Sequence, residues 1–182
     1  DAAAVAVTPG TLVLGGIGSP TTGTITAEGD VSAIGAVQGA FLLTGQDGNQ
    51  SIRVQGDLTN STGLFIGAGN GNDEIELFDT ARLVGGSSAT RLIDGGAGFD
   101  QLTYSALGGS GAPLNVNTTG VELLWVDGGL TLSGSNQFDN IVVQNNGRLS
   151  VSSIATLGNA NAAISLLPTA RLSLDLATNG PT

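Results

Sequence analysis

The 182-residue chain contains neither cysteine nor histidine. Without cysteine there are no disulfide frameworks and no thiol nucleophiles, and without histidine there is no Ser-His-Asp triad and no imidazole acid or base. Zinc fingers fall to both absences. Lysine is missing as well, since the five basic residues are all arginines: Arg53, Arg82, Arg91, Arg148 and Arg171. A Gly-Lys-Ser/Thr phosphate loop is therefore impossible, and no Gly-x-Ser-x-Gly elbow occurs. Only 11% of residues are charged and the net charge is −10. The basic footprint of a nucleic-acid or anionic-membrane binder is absent, so no nucleic-acid partner is expected. Aromatic residues make up only 4%, too few to fill the two-sided core of a sandwich or barrel.

What is abundant is small. Thirty glycines leave little room for long helices, because each loses more backbone entropy in a helix than any other residue. Leu, Ile, Val and Phe together still exceed the roughly 20% below which acidic chains stay unfolded, so a folded chain is expected. Residues 2–27 carry no charge, yet Pro9, Pro20 and several glycines interrupt them. They do not form the run of about 20 apolar residues that a spanning helix needs, and no membrane insertion of this segment is expected. A start at Asp1 fits a processed segment of a longer precursor. The cysteine-free, acidic, Gly/Asn/Thr-rich composition suits an extracellular or bacterial cell-surface protein.

Short apolar runs recur at intervals of roughly 8–12 residues, with turn residues between them. Many alternate apolar with polar, as in Ile52-Arg53-Val54, Ile75-Glu76-Leu77, Leu130-Thr131-Leu132 and Leu149-Ser150-Val151. A period of two means strands with one buried face. Aligning residues 48–54 (GNQSIRV), 71–77 (GNDEIEL) and 98–104 (GFDQLTY) gives one Gly-x-x-x-apolar-x-apolar frame at offsets of 23 and 27 residues. That length, about three short strands and three corners, is one turn of a parallel β-helix. The expected fold is all-β, a β-solenoid of about seven coils over residues 30–182, with residues 1–29 as a cap, linker or edge strand. Seven coils about 4.8 Å apart make a rod roughly 35 Å long. A helix over residues 72–84, with Asn72 as N-cap and acidic residues in its first turn, is the rival local reading.

Two segments resemble known sequence families. Gly95 to Thr103, GGAGFDQLT, is similar to the G-G-x-G-x-D nonapeptide of RTX calcium-binding repeats, and Ala68 to Glu76, AGNGNDEIE, is a weaker copy. RTX motifs run in tandem, whereas these two lie 27 residues apart. The resemblance implies calcium ligation by Asp73 and Asp100, with Asn70, Asn72 and Asp94 as further oxygens, since a calcium ion takes 6 to 8 of them. The alternative reading of the same residues is Asx-turn corners that bond their own backbone. Leu130 to Val151, LTLSGSNQFDNIVVQNNGRLSV, resembles the passenger-associated transport repeat of autotransporters. That likeness implies a right-handed parallel β-helix carried to the cell surface as part of a passenger domain.

Catalysis without histidine would rest on carboxylates, and the densest group is Asp73, Glu74, Glu76 and Asp79, with Asp94 and Asp100 one coil on. Solenoid enzymes acting on polysaccharides use such carboxylates with an arginine, for which Arg82 and Arg91 are nearest. Glu74 and Glu76 flank Ile75, however, and are expected to face solvent as ordinary surface charge. Trp125, inside the run Leu123-Leu124-Trp125-Val126, is expected in the core. The function expected is non-catalytic: an adhesin stalk, scaffold or self-assembling fibre subunit. Its partners would be further copies stacked end to end, or a host-cell or polysaccharide surface. A calcium-dependent RTX-like module and a polysaccharide-active β-helix are the alternatives.

Overall fold

The computed structural model describes residues 13–14, 23–27, 41–44, 48–54, 58–59, 64–78, 83–84, 91–106, 112–151, 154–157 and 159–174. Among them the chain is all-β, its strands pairing in parallel and stacking as a β-solenoid. The largest sheet has seven strands in the spatial order Gly23–Ala27, Gln50–Val54, Glu74–Phe78, Gln101–Ser105, Leu123–Asp127, Asn140–Val143 and Ala163–Leu166. A five-stranded sheet holds Val13–Leu14, Phe41–Thr44, Leu64–Gly67, Arg91–Asp94 and Asn117–Thr119. A four-stranded sheet of Ala112–Asn115, Gly129–Ser133, Arg148–Val151 and Arg171–Leu174 and a pair of Leu58–Thr59 with Leu83–Val84 complete the walls. The chain visits these walls in turn, so each strand pairs with one a full coil away in sequence.

The repeating frame read from the sequence is the register observed. Ile52 pairs with Ile75 and Ile75 with Leu102. The column runs on through Leu124, Ile141 and Ile164, at spacings of 23, 27, 22, 17 and 23 residues from Ile52 onward. From Ile52 to Ile141 every member is fully buried. Two residues along, Leu77, Tyr104, Val126 and Val143 form a second inward column. Ile66 over Ile93 and Leu132 over Val151 close the core from the other sheets. Each such side chain contributes about 1.5–3 kcal/mol by leaving water. Leu, Ile and Val fill most of this core, and Tyr104 and Phe138 are its buried aromatic members among the described residues.

Two expectations need correction. Residues 74–78 are a strand and so are residues 83–84, so the rival helix does not form. Ile75 and Leu77 gain more by joining columns of like residues than a short acidic helix would gain from its cap. Trp125 does not fill the core. Leu124 and Val126 point inward and are fully buried, so period two turns Leu123 and Trp125 outward, where both are half-buried.

The corner before the main sheet is built on stacked glycines. Gly71 and Gly98, at φ 145° and 141°, sit one above the other. A Cβ on Gly98 would lie 1.7 Å from the Gly71 carbonyl oxygen, and one on Gly71 would lie 2.4 Å from that of Gly48. Both the left-handed backbone and the closeness of successive coils demand glycine here.

Candidate functional site

The densest chemistry lies where the chain enters the main sheet. The residues just before four consecutive strands of that sheet are Asp73, Asp100, Glu122 and Asp139. Parallel in-register pairing stacks these four acidic positions coil upon coil. Asp73 and Asp100 are buried, at 2% and 0% exposure. Glu122 is half-buried and Asp139 is exposed.

Hydrogen bonds join the members across coils. The Asp73 amide donates to Asp100 Oδ1 at 2.8 Å, and the Asp100 amide donates to Glu122 Oε2 at 2.7 Å. Each of these carboxylates therefore caps the amide of the acidic residue one coil below it. Further along, Asn159 Nδ2 donates to Asp139 Oδ1. Glu122 and Asp139 also line, with Gly120, Gln137 and Asn159, an open cleft of about 480 Å³. Burial pushes the Asp100 carboxyl up to about 6, and the negative neighbours Asp73, Glu122 and Asp94 push the same way against the Asp73 amide bond. Asp100 Oδ2 has no hydrogen-bond partner.

The five oxygens expected for calcium separate into two groups. Asp73 and Asp100 do lie together, one coil apart. Asn72 is exposed, and its Oδ1 accepts the Phe99 amide at 2.9 Å, while its own amide donates to Asn49 Oδ1 at 2.9 Å. Asp94 Oδ1 accepts the Gly96 amide two residues on, an Asx turn. Asn70 is exposed and bridges to Ala97 through its backbone. Three of the five thus hold backbone amides through a side-chain oxygen. Among the described residues no group of three or more carboxylates is arranged to hold a metal ion.

The two buried aspartates are out of reach of a polymer on the surface, and Arg91 Nη1 donates to the Asn115 carbonyl at 3.0 Å. Arg82 and Asp79 lie outside the described residues. Glu74 and Glu76 stand on the outer face, as expected, and accept from Thr103 Oγ1 and Ser105 Oγ of the next coil at 3.4 and 3.3 Å. Glu122 and Asp139 are the members of the acidic stack that sequence reasoning missed. Their signal was their place just before the apolar runs Leu123 to Val126 and Ile141 to Val143, which matches the place of Asp100 before Gln101 to Ser105.

No helix among the described residues is long and apolar enough to cross a membrane. Comparison with family models, curated proteins and solved structures gives no match for this chain.

Proposed function

We propose that the chain is a non-catalytic structural β-solenoid, a right-handed parallel β-helix of about seven coils. It works as an extracellular or bacterial cell-surface passenger segment: a stalk, scaffold or fibre subunit. The observation that carries this reading is the fate of the acidic residues. Asp100 and Glu122 use carboxylate oxygens to tie one coil to the next, rather than converging on a substrate. Seven parallel strands in one sheet support the coil number. Stacked units of this kind gain stiffness from nearest-neighbour contacts along one axis. Spin labels on Glu74→Cys and Ala163→Cys, four ladder steps apart in the main sheet, test the reading: a backbone separation of about 19 Å is expected, and one far from it would refute the stack.

A second reading, a calcium-stabilised module, is favoured by the buried Asp73 and Asp100 pair and the unbonded Asp100 Oδ2. Thermal melts with calcium and with a chelator separate the two. The structural reading expects coincident melts, and a melting temperature raised by calcium but not by magnesium would favour the module.

A further inference from the structure

The outer face of the main sheet changes character along the axis. Its outward positions are Glu74 and Glu76 on one strand, Gln101, Thr103 and Ser105 on the next, then Leu123, Trp125 and Asp127, then Asn140 and Val142. Register places Trp125 between Thr103 and Val142, and Leu123 between Gln101 and Asn140. The chain's one tryptophan therefore lies on a flat face, half-buried, with apolar neighbours on its own and the following strand. Thr103, although it points outward, is only 8% exposed. Around this apolar centre stand groups that hydrogen-bond and, where charged, are negative. Asp127 and Asn140 are exposed, Gln101 Nε2 donates to Thr103 Oγ1, and Glu74 and Glu76 lie two coils back.

We propose that this face binds a neutral polysaccharide lying flat along the sheet. The C–H face of a pyranose ring is apolar and fits an indole surface, while its hydroxyls are donors for carboxylates and partners for amides at the rim. Charge selects the ligand class: Glu74, Glu76 and Asp127, on a chain of net charge −10, repel acidic polymers such as polyuronates. Flatness selects an extended chain rather than a single sugar, because an open sheet offers no pocket to enclose one ring. The proposal deepens the surface-stalk reading and rests on it for the exposure of this face.

Because Trp125 is the sole tryptophan, its fluorescence reports the site in the unmodified protein. Titration with cellohexaose, laminarihexaose and mannohexaose, with polygalacturonate as the anionic counterpart, is the experiment. Saturable change in Trp125 emission with at least one neutral hexaose and none with polygalacturonate is expected. Calorimetry with Trp125→Ala should then show binding weakened by about tenfold or more, with Trp125→Phe intermediate. No change with any neutral hexaose at millimolar concentration overturns the proposal, and so does an equal response to polygalacturonate. Should Trp125→Ala fail to fold, the wild-type titration decides alone. The spin-label distance between positions 74 and 163 keeps the two readings apart: a protein with the stacked separation that ignores every glycan refutes only this proposal, and a separation that does not fit the stack refutes the stalk.

Discussion

Asp100 is a carboxylate placed where its charge is disfavoured. Its carboxyl titrates near 6 in the folded chain against 3.8 when exposed, so between these values the folded state binds more protons than the unfolded one. Stability therefore falls as pH rises through this window. The difference of about two pH units corresponds to about 3 kcal/mol. Denaturant unfolding is expected to show the protein more stable at pH 4.5 than at pH 7.5. Asp100→Asn keeps an oxygen for the Asp73 amide and removes the charge facing Asp73, Glu122 and Asp94. It should flatten this pH dependence and match or exceed the wild type at pH 7.5, whereas a variant less stable at pH 7.5 would show that the charge itself is needed there. Gly98 is the opposite case, a residue with no room for change. Gly98→Ala puts a methyl into the Gly71 carbonyl at a left-handed φ and should lower stability by about 3 kcal/mol or more. Exposed Ala97→Ser next to it should stay within about 0.5 kcal/mol. Calorimetric melts of the two variants side by side measure the contrast.

A strand in this fold is stable through its place in a column. Leu102 has Ile75 on one side and Leu124 on the other, so Leu102→Ala leaves a cavity that neither neighbour can fill without leaving its own sheet. A loss of about 2–5 kcal/mol is expected in urea unfolding. Ile164 ends the same column at 38% exposure, and Ile164→Ala should cost well under half as much. Equal losses would mean that the column does not unfold as a stack.

At this same scale the sequence was partly legible. Gly48, Gly71 and Gly98 with their trailing apolar pairs are written as a spaced motif, because one backbone conformation and one buried face recur. Trp125 was not legible, since an unbroken run from Leu123 to Val126 carries no parity of its own. Only pairing with Thr103 and Val142 determines which alternate residues face inward. The acidic stack was hidden for a related reason. Its partners lie 27 and then 22 residues apart, and coils of unequal length share no single period. The corner at Asn136 and Phe138 lies inside the segment 130–151 that resembles the autotransporter repeat, yet its role is apparent only in three dimensions. Asn136 is fully buried and donates to the Thr156 carbonyl at 2.8 Å, and Phe138 is fully buried beside it.

For the whole molecule, a stack of parallel coils has no internal reason to stop. Among the described residues Ala163–Leu166 is an edge strand of the main sheet, and its inward residues Ile164 and Leu166 are 38% and 45% exposed, with Leu174 on the neighbouring wall at 42%. These are core positions by register, above Ile141, Val143 and Val151, and among the described residues no further strand pairs beyond them. At the other edge of the sheet as described, Gly23–Ala27 places Ile25 in register with Ile52 of the same column. Head-to-tail stacking of two copies would therefore continue both the backbone ladder and the apolar column, and a heterologous contact of that kind propagates into a filament. Concentration-dependent sedimentation should show growth of the wild-type particle. Ile164→Lys with Leu166→Lys, which places charge on the open end while leaving the fully buried columns untouched, should hold the protein monomeric with an unchanged β-sheet circular dichroism spectrum. Growth that persists in this double variant would move the contact away from this edge, and a wild type that stays monomeric at high concentration would refute the fibre-subunit proposal.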